Sequence, residues 1–332
     1  MIKVAINGFG RIGRRLLRLA LEHESIDVVA INDLADTKTL SHLFKYDSIH
    51  GVLHQNISYD ENHIIIGDKR IPFLNAETIE GIDWRPYDPD FVIEATGKFK
   101  DKTQLQKHID NGAKRVILSV PPLQDDIKTI VLGVNEDTID QDDLIVSNAS
   151  CTTNNAAPMI DLMEKHFGVE HAYITTVHSY TTDQSLHDQP HRDLRRARAA
   201  GQSIVPTTTG AAKALTKIFP QLSDAIGGCG IRVPVANGSL TDITFNIKSD
   251  ASIERINNVF KTAAENELKG ILEYTEDPIV SIDIVGNSHS CIFDSQMTSV
   301  IGNMVKIVGW YDNETGYSCR ILDLICNLSD KS

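Results

Sequence analysis

Cysteine is scarce in this chain: only five occur among 332 residues, and no two form a Cys-x-x-Cys pair. Cys151, Cys229, Cys291, Cys319 and Cys326 are odd in number and scattered, so neither a disulfide framework nor a metal site is expected. Long apolar runs are missing too. Met1 leads straight into an apolar strand, without a basic segment, an extended hydrophobic stretch or a small-residue cleavage site. That predicts neither signal peptide nor membrane span, and a reducing, cytoplasmic setting. Positive charge is also short. Lys and Arg total 32 against 45 Asp and Glu, a net charge of −13, which argues against nucleic acid or an anionic membrane as partner. Any anion site must therefore be local. Repeats, low-complexity tracts and long linkers are absent. The remainder, 41% hydrophobic and 23% charged, is ordinary for a globular protein, and the length exceeds what one core usually holds. Two domains are expected.

The first half alternates strands and helices in the manner of βαβ units on a parallel sheet. Strands are predicted at 3–7, 27–32, 91–95, 115–119, 129–132 and 144–146, with helices at 11–22 and 102–109, the second stopped by Asn111-Gly112. Beyond residue 150 the texture turns β-rich, with strands at 172–178, 231–235, 240–247, 291–294 and 304–311. Helices are predicted there at 150–167, 209–217 and 252–268. A last helix, 316–328, carries Tyr317, Ile321, Leu324, Ile325 and Leu328 as an apolar stripe that needs a surface to pack on.

Strand one runs into Asn7-Gly8-Phe9-Gly10-Arg11-Ile12-Gly13. Gly8 permits a tight turn, Gly10 lets a pyrophosphate approach the backbone, and Gly13 allows close packing of helix on strand. Twenty residues past Gly13, strand two ends in Asn32-Asp33, where a carboxylate can accept hydrogen bonds from an adenosine ribose. The same charge repels a 2′-phosphate, so NAD is the expected cofactor. Thr96, Gly97 and Ser119 end later parallel strands, where such sheets open their ligand crevice. The fold expected is α/β: an N-terminal Rossmann-type dinucleotide-binding domain (1–150) and a C-terminal α+β catalytic domain (151–315), with helix 316–332 packed back on the first.

Cys151 lies in Ser147-Asn148-Ala149-Ser150-Cys151-Thr152-Thr153-Asn154-Asn155, between an apolar strand and a helical pattern. A thiol where a helix begins feels unpaired N–H groups and the positive dipole end, which favour the thiolate. A pKa lowered to about 6 would raise the thiolate fraction at neutral pH about thirtyfold over an ordinary cysteine. His178, on the next apolar strand, is the candidate base. Arg192, Arg195, Arg196 and Arg198 form a basic knot in an acidic protein, Arg232 opens Val233-Pro234-Val235, and Thr207-Thr208-Thr209-Gly210 precedes a helix. Two separated cationic or N–H-rich spots suggest two phosphate groups.

Taken in order, Gly8 to Gly13, Asn32-Asp33, Ser150-Cys151-Thr152-Thr153-Asn154, Thr176-Val177-His178, Leu194-Arg195-Arg196-Ala197-Arg198, Thr208 to Ala214, Arg232-Val233-Pro234 and Trp310-Tyr311-Asp312-Asn313-Glu314 span the chain. This set resembles phosphorylating glyceraldehyde-3-phosphate dehydrogenase of the NAD-dependent type. The resemblance implies Cys151 as nucleophile, His178 as base, and Asn313 and Tyr317 at the nicotinamide. It further implies Thr181, Arg196 and Arg232 for the substrate phosphate, and Ser150, Thr152, Thr209 and Gly210 for inorganic phosphate. A homotetramer is implied as well.

Some positions depart from that pattern. Asn155 stands where many members have a second cysteine, which removes one route to an internal disulfide. Gln189, before Pro190, replaces a usual leucine and leaves an NADP-using gluconeogenic variant open. Val120-Pro121-Pro122 and Asn237-Gly238 are also unusual. Erythrose-4-phosphate dehydrogenase is a further alternative, although the segment 208–213 keeps the glyceraldehyde-phosphate form. A cofactor-free cysteine hydrolase is opposed by the glycine turn with Asp33, and a catalytically silent module by the intact Cys151, His178, Arg196 and Arg232.

Overall fold

Ile2–Asn7 (β1) has its last four residues buried, as a central strand covered on both faces requires. The computed structural model describes residues 1–330 and divides the chain into two units. The first comprises 1–130, 137–149 and the chain from Ser318 onward; the second comprises 131–136 and 150–317. Residues 331 and 332 of the expected last helix lie outside the described residues.

In the first unit β1 is followed by Arg11–Ala20 (α1), Ile26–Asn32 (β2), Thr37–Lys45 (α2), Tyr46–Asp47 (β3), Gly51–Val52 (β4), Ile57–Asp60 (β5), His63–Ile66 (β6) and Lys69–Leu74 (β7). Phe91–Glu94 (β8), Lys102–Asp110 (α3), Arg115–Leu118 (β9), Lys128–Thr129 (β10) and Ile145–Ser147 (β11) complete it. Nine strands form one sheet in the order β10-β11-β9-β8-β1-β2-β7-β6-β5. Strand order reverses at β1, which pairs in parallel with β2 on one side and β8 on the other. Ligands bind such sheets at the carboxyl ends flanking that reversal. Its last rung is polar: Asn7 stands between Asn32 and Glu94.

The expected all-parallel sheet holds only in part. β5, β6 and β7 pair antiparallel, since turns of two residues join them and leave no room for a crossover helix. Helix α2, capped by the Asp36 carboxylate accepting from Thr39 N–H, was not anticipated. The strand expected at 129–132 shrinks to β10, because Val131 N–H donates to the Asn135 side chain instead of a neighbouring strand.

The second unit contains Cys151–Phe167 (α4), Val169–Ser179 (β12), Val205–Thr207 (β13), Ala211–Ile218 (α5), Ile226–Val233 (β14), Ser239–Ile247 (β15) and Ile253–Glu265 (α6). Leu272–Thr275 (β16), Cys291–Asp294 (β17), Ser299–Ile301 (β18), Met304–Tyr311 (β19) and the start of Thr315–Asp330 (α7) follow. Its sheet runs β13-β14-β12-β15-β19-β17-β16, with β18 paired to β19. Along β15 burial alternates strictly: Ser239, Thr241, Ile243, Phe245 and Ile247 face the core and the residues between them do not. From Ser318 onward α7 groups with the first unit, where Arg115 donates to the Leu328 carbonyl at 3.3 Å. Gly238 has a local explanation. Its φ is +90°, and a Cβ there would meet the Ser281 carbonyl oxygen at 2.3 Å.

Candidate functional site

In the first unit a cavity of about 280 Å³ opens at the carboxyl ends of β1, β2 and β8. Asn7, Gly8, Gly10, Asp33 and Thr96 line it, joined by Leu34, Glu77, Lys98 and Phe99, which sequence reasoning missed. Gly8 adopts φ +99°, and a Cβ on it would sit 2.6 Å from the Thr96 nitrogen; at Gly13 one would strike the Gly8 carbonyl oxygen at 2.1 Å. Gly10 differs, having nothing within 4 Å of its would-be Cβ. It is the N-cap of α1, and no side chain caps that helix. The opening N–H groups of α1 therefore suit a pyrophosphate. Asp33 Oδ2 accepts from Phe9 N–H at 2.6 Å and Oδ1 from Ala35 N–H at 3.1 Å, which holds the carboxylate at the cavity wall. These features fit a dinucleotide.

Other expected cofactor residues do not line this cavity. The Arg11 guanidinium pairs with Asp47, donating at 2.6 and 3.1 Å, and with the Ile49 and His50 N–H groups it draws that carboxyl down to about 2 against the opposing effect of burial. Ile12 lies in the first turn of α1, Gly97 takes φ +68° after β8, and Ser119, nearly buried, donates its N–H to the Glu94 carbonyl at 3.0 Å.

The second unit brings Cys151, His178 and Arg232 together. Chain geometry delivers the sulfur: Ala149 adopts φ +55°, a left-handed bend uncommon outside glycine, and Ser150 then caps α4 by accepting from Thr153 N–H at 3.1 Å. Cys151 is the first residue of that helix. On the sheet, His178 and Arg232 are register partners across the parallel strands β12 and β14. Cys151 Sγ lies 3.5 Å from His178 Nε2. The other ring nitrogen, Nδ1, is 2.5 Å from Arg232 Nη1 and 2.8 Å from the Ser179 carbonyl. Behind them the Tyr311 hydroxyl bridges Thr152 Oγ1 at 2.8 Å and Thr176 Oγ1 at 2.9 Å.

The electrostatics correct one expectation. Burial pushes the Cys151 thiol up, and Arg232 with the Thr152 N–H only partly opposes this, so burial works against the thiolate that a helix start by itself favours. Burial, then the Arg232 cation, pulls His178 down to about 3. Both shifts favour the neutral pair, with the proton on sulfur, over a thiolate beside an imidazolium.

Arg196 donates to Thr207 Oγ1 at 3.0 Å and to the Thr208 carbonyl at 3.3 Å, and it pairs closely with Asp183. It therefore adjoins the turn Thr209-Gly210 that starts α5, where Thr209 Oγ1 accepts from Ala211 N–H at 3.2 Å. Thr181 sits in the same loop, its carbonyl accepting from Gln184 N–H at 2.9 Å. Ser150 and Thr152 are less open than expected of phosphate ligands, being engaged with Thr153 and Tyr311. Asn313 Oδ1 accepts from Ser179 Oγ at 2.9 Å and Ser239 Oγ at 3.0 Å, which fixes the amide so that its NH2 remains as a donor. Tyr317 is buried, and burial raises its phenol. Asn155 is buried and donates to the Ser290 and Trp310 carbonyls, whereas Gln189 is exposed. Asp183 and Glu94 escaped sequence reasoning; for Glu94 the signal was a charged residue at the end of the apolar run Phe91-Val92-Ile93.

Residues 2–102 match the glyceraldehyde 3-phosphate dehydrogenase NAD binding domain, and residues 150–313 match the glyceraldehyde 3-phosphate dehydrogenase C-terminal domain. The chain is 49% identical over 326 residues to glyceraldehyde-3-phosphate dehydrogenase 2 of Bacillus subtilis, covering 98% of this chain and 96% of that protein. It is 48% identical over 332 residues to the Geobacillus stearothermophilus glyceraldehyde-3-phosphate dehydrogenase, covering 99% of each. With Streptomyces avermitilis glyceraldehyde-3-phosphate dehydrogenase 2 it shares 50% identity over 326 residues, 97% of each. The chain belongs to the glyceraldehyde-3-phosphate dehydrogenase family, NAD-dependent oxidoreductases that act on an aldehyde.

Proposed function

We propose that Cys151 and His178 carry the conversion of D-glyceraldehyde 3-phosphate and inorganic phosphate to 1,3-bisphosphoglycerate through a thioester. The observation that carries this reading is the 3.5 Å approach of Cys151 Sγ to His178 Nε2. Sulfur attacks the aldehyde carbon as its proton passes to Nε2, and His178 hands that proton on to the carbonyl oxygen, which the Cys151 backbone N–H also stabilises, so that a neutral hemithioacetal forms. His178 next takes the hydroxyl proton while the carbon gives up a hydride, leaving an acyl group on sulfur. Bound NAD supplies the hydride acceptor. Inorganic phosphate then adds to the thioester carbon, and expulsion of the Cys151 thiolate releases the acyl phosphate.

Arg232 links substrate binding to this base. A guanidinium only donates, so while Arg232 points at Nδ1 that nitrogen must accept, and the Nε2 hydrogen faces sulfur. A substrate phosphate that draws Arg232 away lets Nδ1–H turn to the Ser179 carbonyl, frees the Nε2 lone pair, and lifts the cation's depression of the imidazole. The base is armed when the phosphate arrives. Arg196 and Thr181 join Arg232 at that phosphate, and Thr209 with Gly210 receives the inorganic one. Asn313 would hold the nicotinamide carboxamide through its amide NH2.

A homotetramer is supported by the sheet of the second unit, whose non-core face keeps Tyr173 54% exposed with Thr175, Leu240 and Thr244 only half-buried. All five cysteines are free thiols, in keeping with a cytoplasmic protein. The deciding experiment follows NADH formation from glyceraldehyde 3-phosphate with and without inorganic phosphate. Sustained turnover that requires phosphate supports the acyl-phosphate route; equal turnover without it means the thioester is hydrolysed and the phosphorylating role fails.

A further inference from the structure

Beneath the cofactor crevice lies a buried polar network that touches none of the lining already described except through its end groups. Glu94, the last residue of β8, is 0% exposed, as is His108 on α3. A carboxylate without solvent needs donors for both oxygens, and four are present. Oε2 accepts from Asn7 Nδ2 at 2.5 Å and from His108 Nε2 at 3.2 Å. Oε1 accepts from the Thr96 backbone N–H at 2.9 Å and, closely, from the Thr96 hydroxyl. The tautomer of His108 follows from its other partner. Trp84 Nε1, which can only donate, lies 3.0 Å from His108 Nδ1, so Nδ1 accepts and the ring hydrogen is on Nε2, directed at Glu94.

The same network reaches the crevice wall from the other side. Asn7 Oδ1 accepts from Asn32 Nδ2 at 2.8 Å, and Asn32 in turn exchanges two hydrogen bonds with the Ala76 backbone, at 2.8 and 3.1 Å. Asn7, Asn32, Ala76 and Thr96 all line the cavity, whereas Glu94, His108 and Trp84 do not. Glu94 is thus bonded to both Asn7 and Thr96, the residues at the close approach between Gly8 and the Thr96 backbone.

We propose that Glu94, oriented by His108 and Trp84, is a positioning residue that sets the spacing of the glycine turn and the Thr96 turn to the width the dinucleotide requires. This rests on the reading of the crevice as the NAD site. An apolar residue in place of Glu94 would leave four donors buried and unpaired, and loss of His108 alone would let the carboxylate rotate away from the Asn7 side. Either change acts on the cofactor through Asn7 and Thr96, without removing a contact to it.

The test compares His108→Leu, His108→Gln and Trp84→Phe in the full-length enzyme, titrating NAD by calorimetry at a temperature well below each variant's Tm and measuring kcat at saturating NAD. Gln restores a donor at the place of Nε2, and Leu does not. Loss of one hydrogen bond to a charged acceptor predicts NAD affinity weakened about tenfold in His108→Leu, recovered to within about threefold in His108→Gln, with kcat nearly unchanged. If His108→Leu does not fold, Trp84→Phe carries the test. Its ¹⁵N imidazole spectrum should lose the pure Nε2–H signature of the parent, and its NAD affinity should fall by a few-fold. Asp33→Ala separates this idea from the site reading. Weakened NAD binding in Asp33→Ala with parental affinity in both His108→Leu and Trp84→Phe overturns the positioning role alone; an Asp33→Ala protein that binds NAD as the parent does overturns the site reading and this proposal with it.

Discussion

Two helix starts in this molecule solve opposite problems. At α4 the N-cap is Ser150, whose hydroxyl accepts from Thr153 N–H, so the helix satisfies itself and presents a sulfur as its first residue. At α1 the N-cap is Gly10, with no side-chain cap and open space where a Cβ would be. α2, α3 and α6 are capped by Asp36, Asp101 and Ser252. α5, starting at Gly210 among the Arg196-linked residues, repeats the glycine cap of α1. On the proposed function, the difference has a physical sense: a cap without a side chain leaves the helix N–H groups to an anion, and a filled cap leaves the first residue of the helix to the protein's own chemistry.

The comparison breaks most sharply at the sulfur. Cys151→Ser should lower kcat by at least about a thousandfold, because an alcohol beside a neutral imidazole is a far weaker nucleophile, while NAD affinity measured by titration stays at the parental value. Loss of NAD binding together with activity would mean that the two helix starts do not have separate tasks.

His178→Asn tests the same side through base catalysis and through stability. Removal of the base predicts a fall of about 10²- to 10⁴-fold in kcat. The acid response follows from the depressed imidazole. Folded His178 resists protonation until about pH 3, while in the unfolded chain it takes a proton near 6.5, so the unfolded state binds more protons between those limits. Stability due to this group is full above about pH 6.5 and drains as pH falls toward 3, at up to about 1.4 kcal/mol per unit. Denaturant melts of His178→Asn at pH 7 and pH 5 should therefore differ less than those of the parent; an equal or larger difference would place the acid sensitivity elsewhere.

At the α1 side, two glycines can be set against each other. Gly8→Ala drives a methyl into the Thr96 backbone at a φ of +99° and should destabilise the protein by about 2 kcal/mol or more. Gly10→Ala meets nothing, so its Tm should barely move, yet NAD affinity should fall about tenfold because the methyl stands where the pyrophosphate approaches the backbone. Parental NAD affinity in Gly10→Ala would show that the uncapped start is packing convenience and not a ligand feature.

Much of this was legible in the chain itself, for physical reasons. Apolar runs such as Phe91 to Ile93 can only be buried strands, and Gly8, Gly10 and Gly13 have spacing that few other structures demand. Asp33, Cys151 and His178 follow because they end strands or open helices, where function concentrates. What was not legible depends on contacts between distant residues. The antiparallel β5–β7 addition is set by short turns, and the upward shift of the Cys151 thiol by burial, partly opposed by Arg232, which the β12–β14 register sets beside His178. Two partners of Glu94, Asn7 and His108, lie 87 residues upstream and 14 downstream. No local pattern announces them.

The smallest effect sharpens the contrast most finely. Ser150→Gly would give α4 the same kind of cap as α1, and Ser150→Ala would remove the cap without offering backbone freedom. A lost serine cap costs about 1 kcal/mol as alanine and only a few tenths as glycine, so Tm should drop by a few degrees in the first and hardly at all in the second. In both, Thr153 N–H loses its acceptor in the first turn of the helix that Cys151 opens, and unpaired N–H groups at a helix start favour the thiolate. The alkylation rate of Cys151 with iodoacetamide at neutral pH should then rise modestly relative to the parent, while kcat changes by no more than a few-fold. A hundredfold loss of kcat with an unchanged Tm would instead make the Ser150 hydroxyl a phosphate ligand, and the filled cap at α4 would be serving an anion after all.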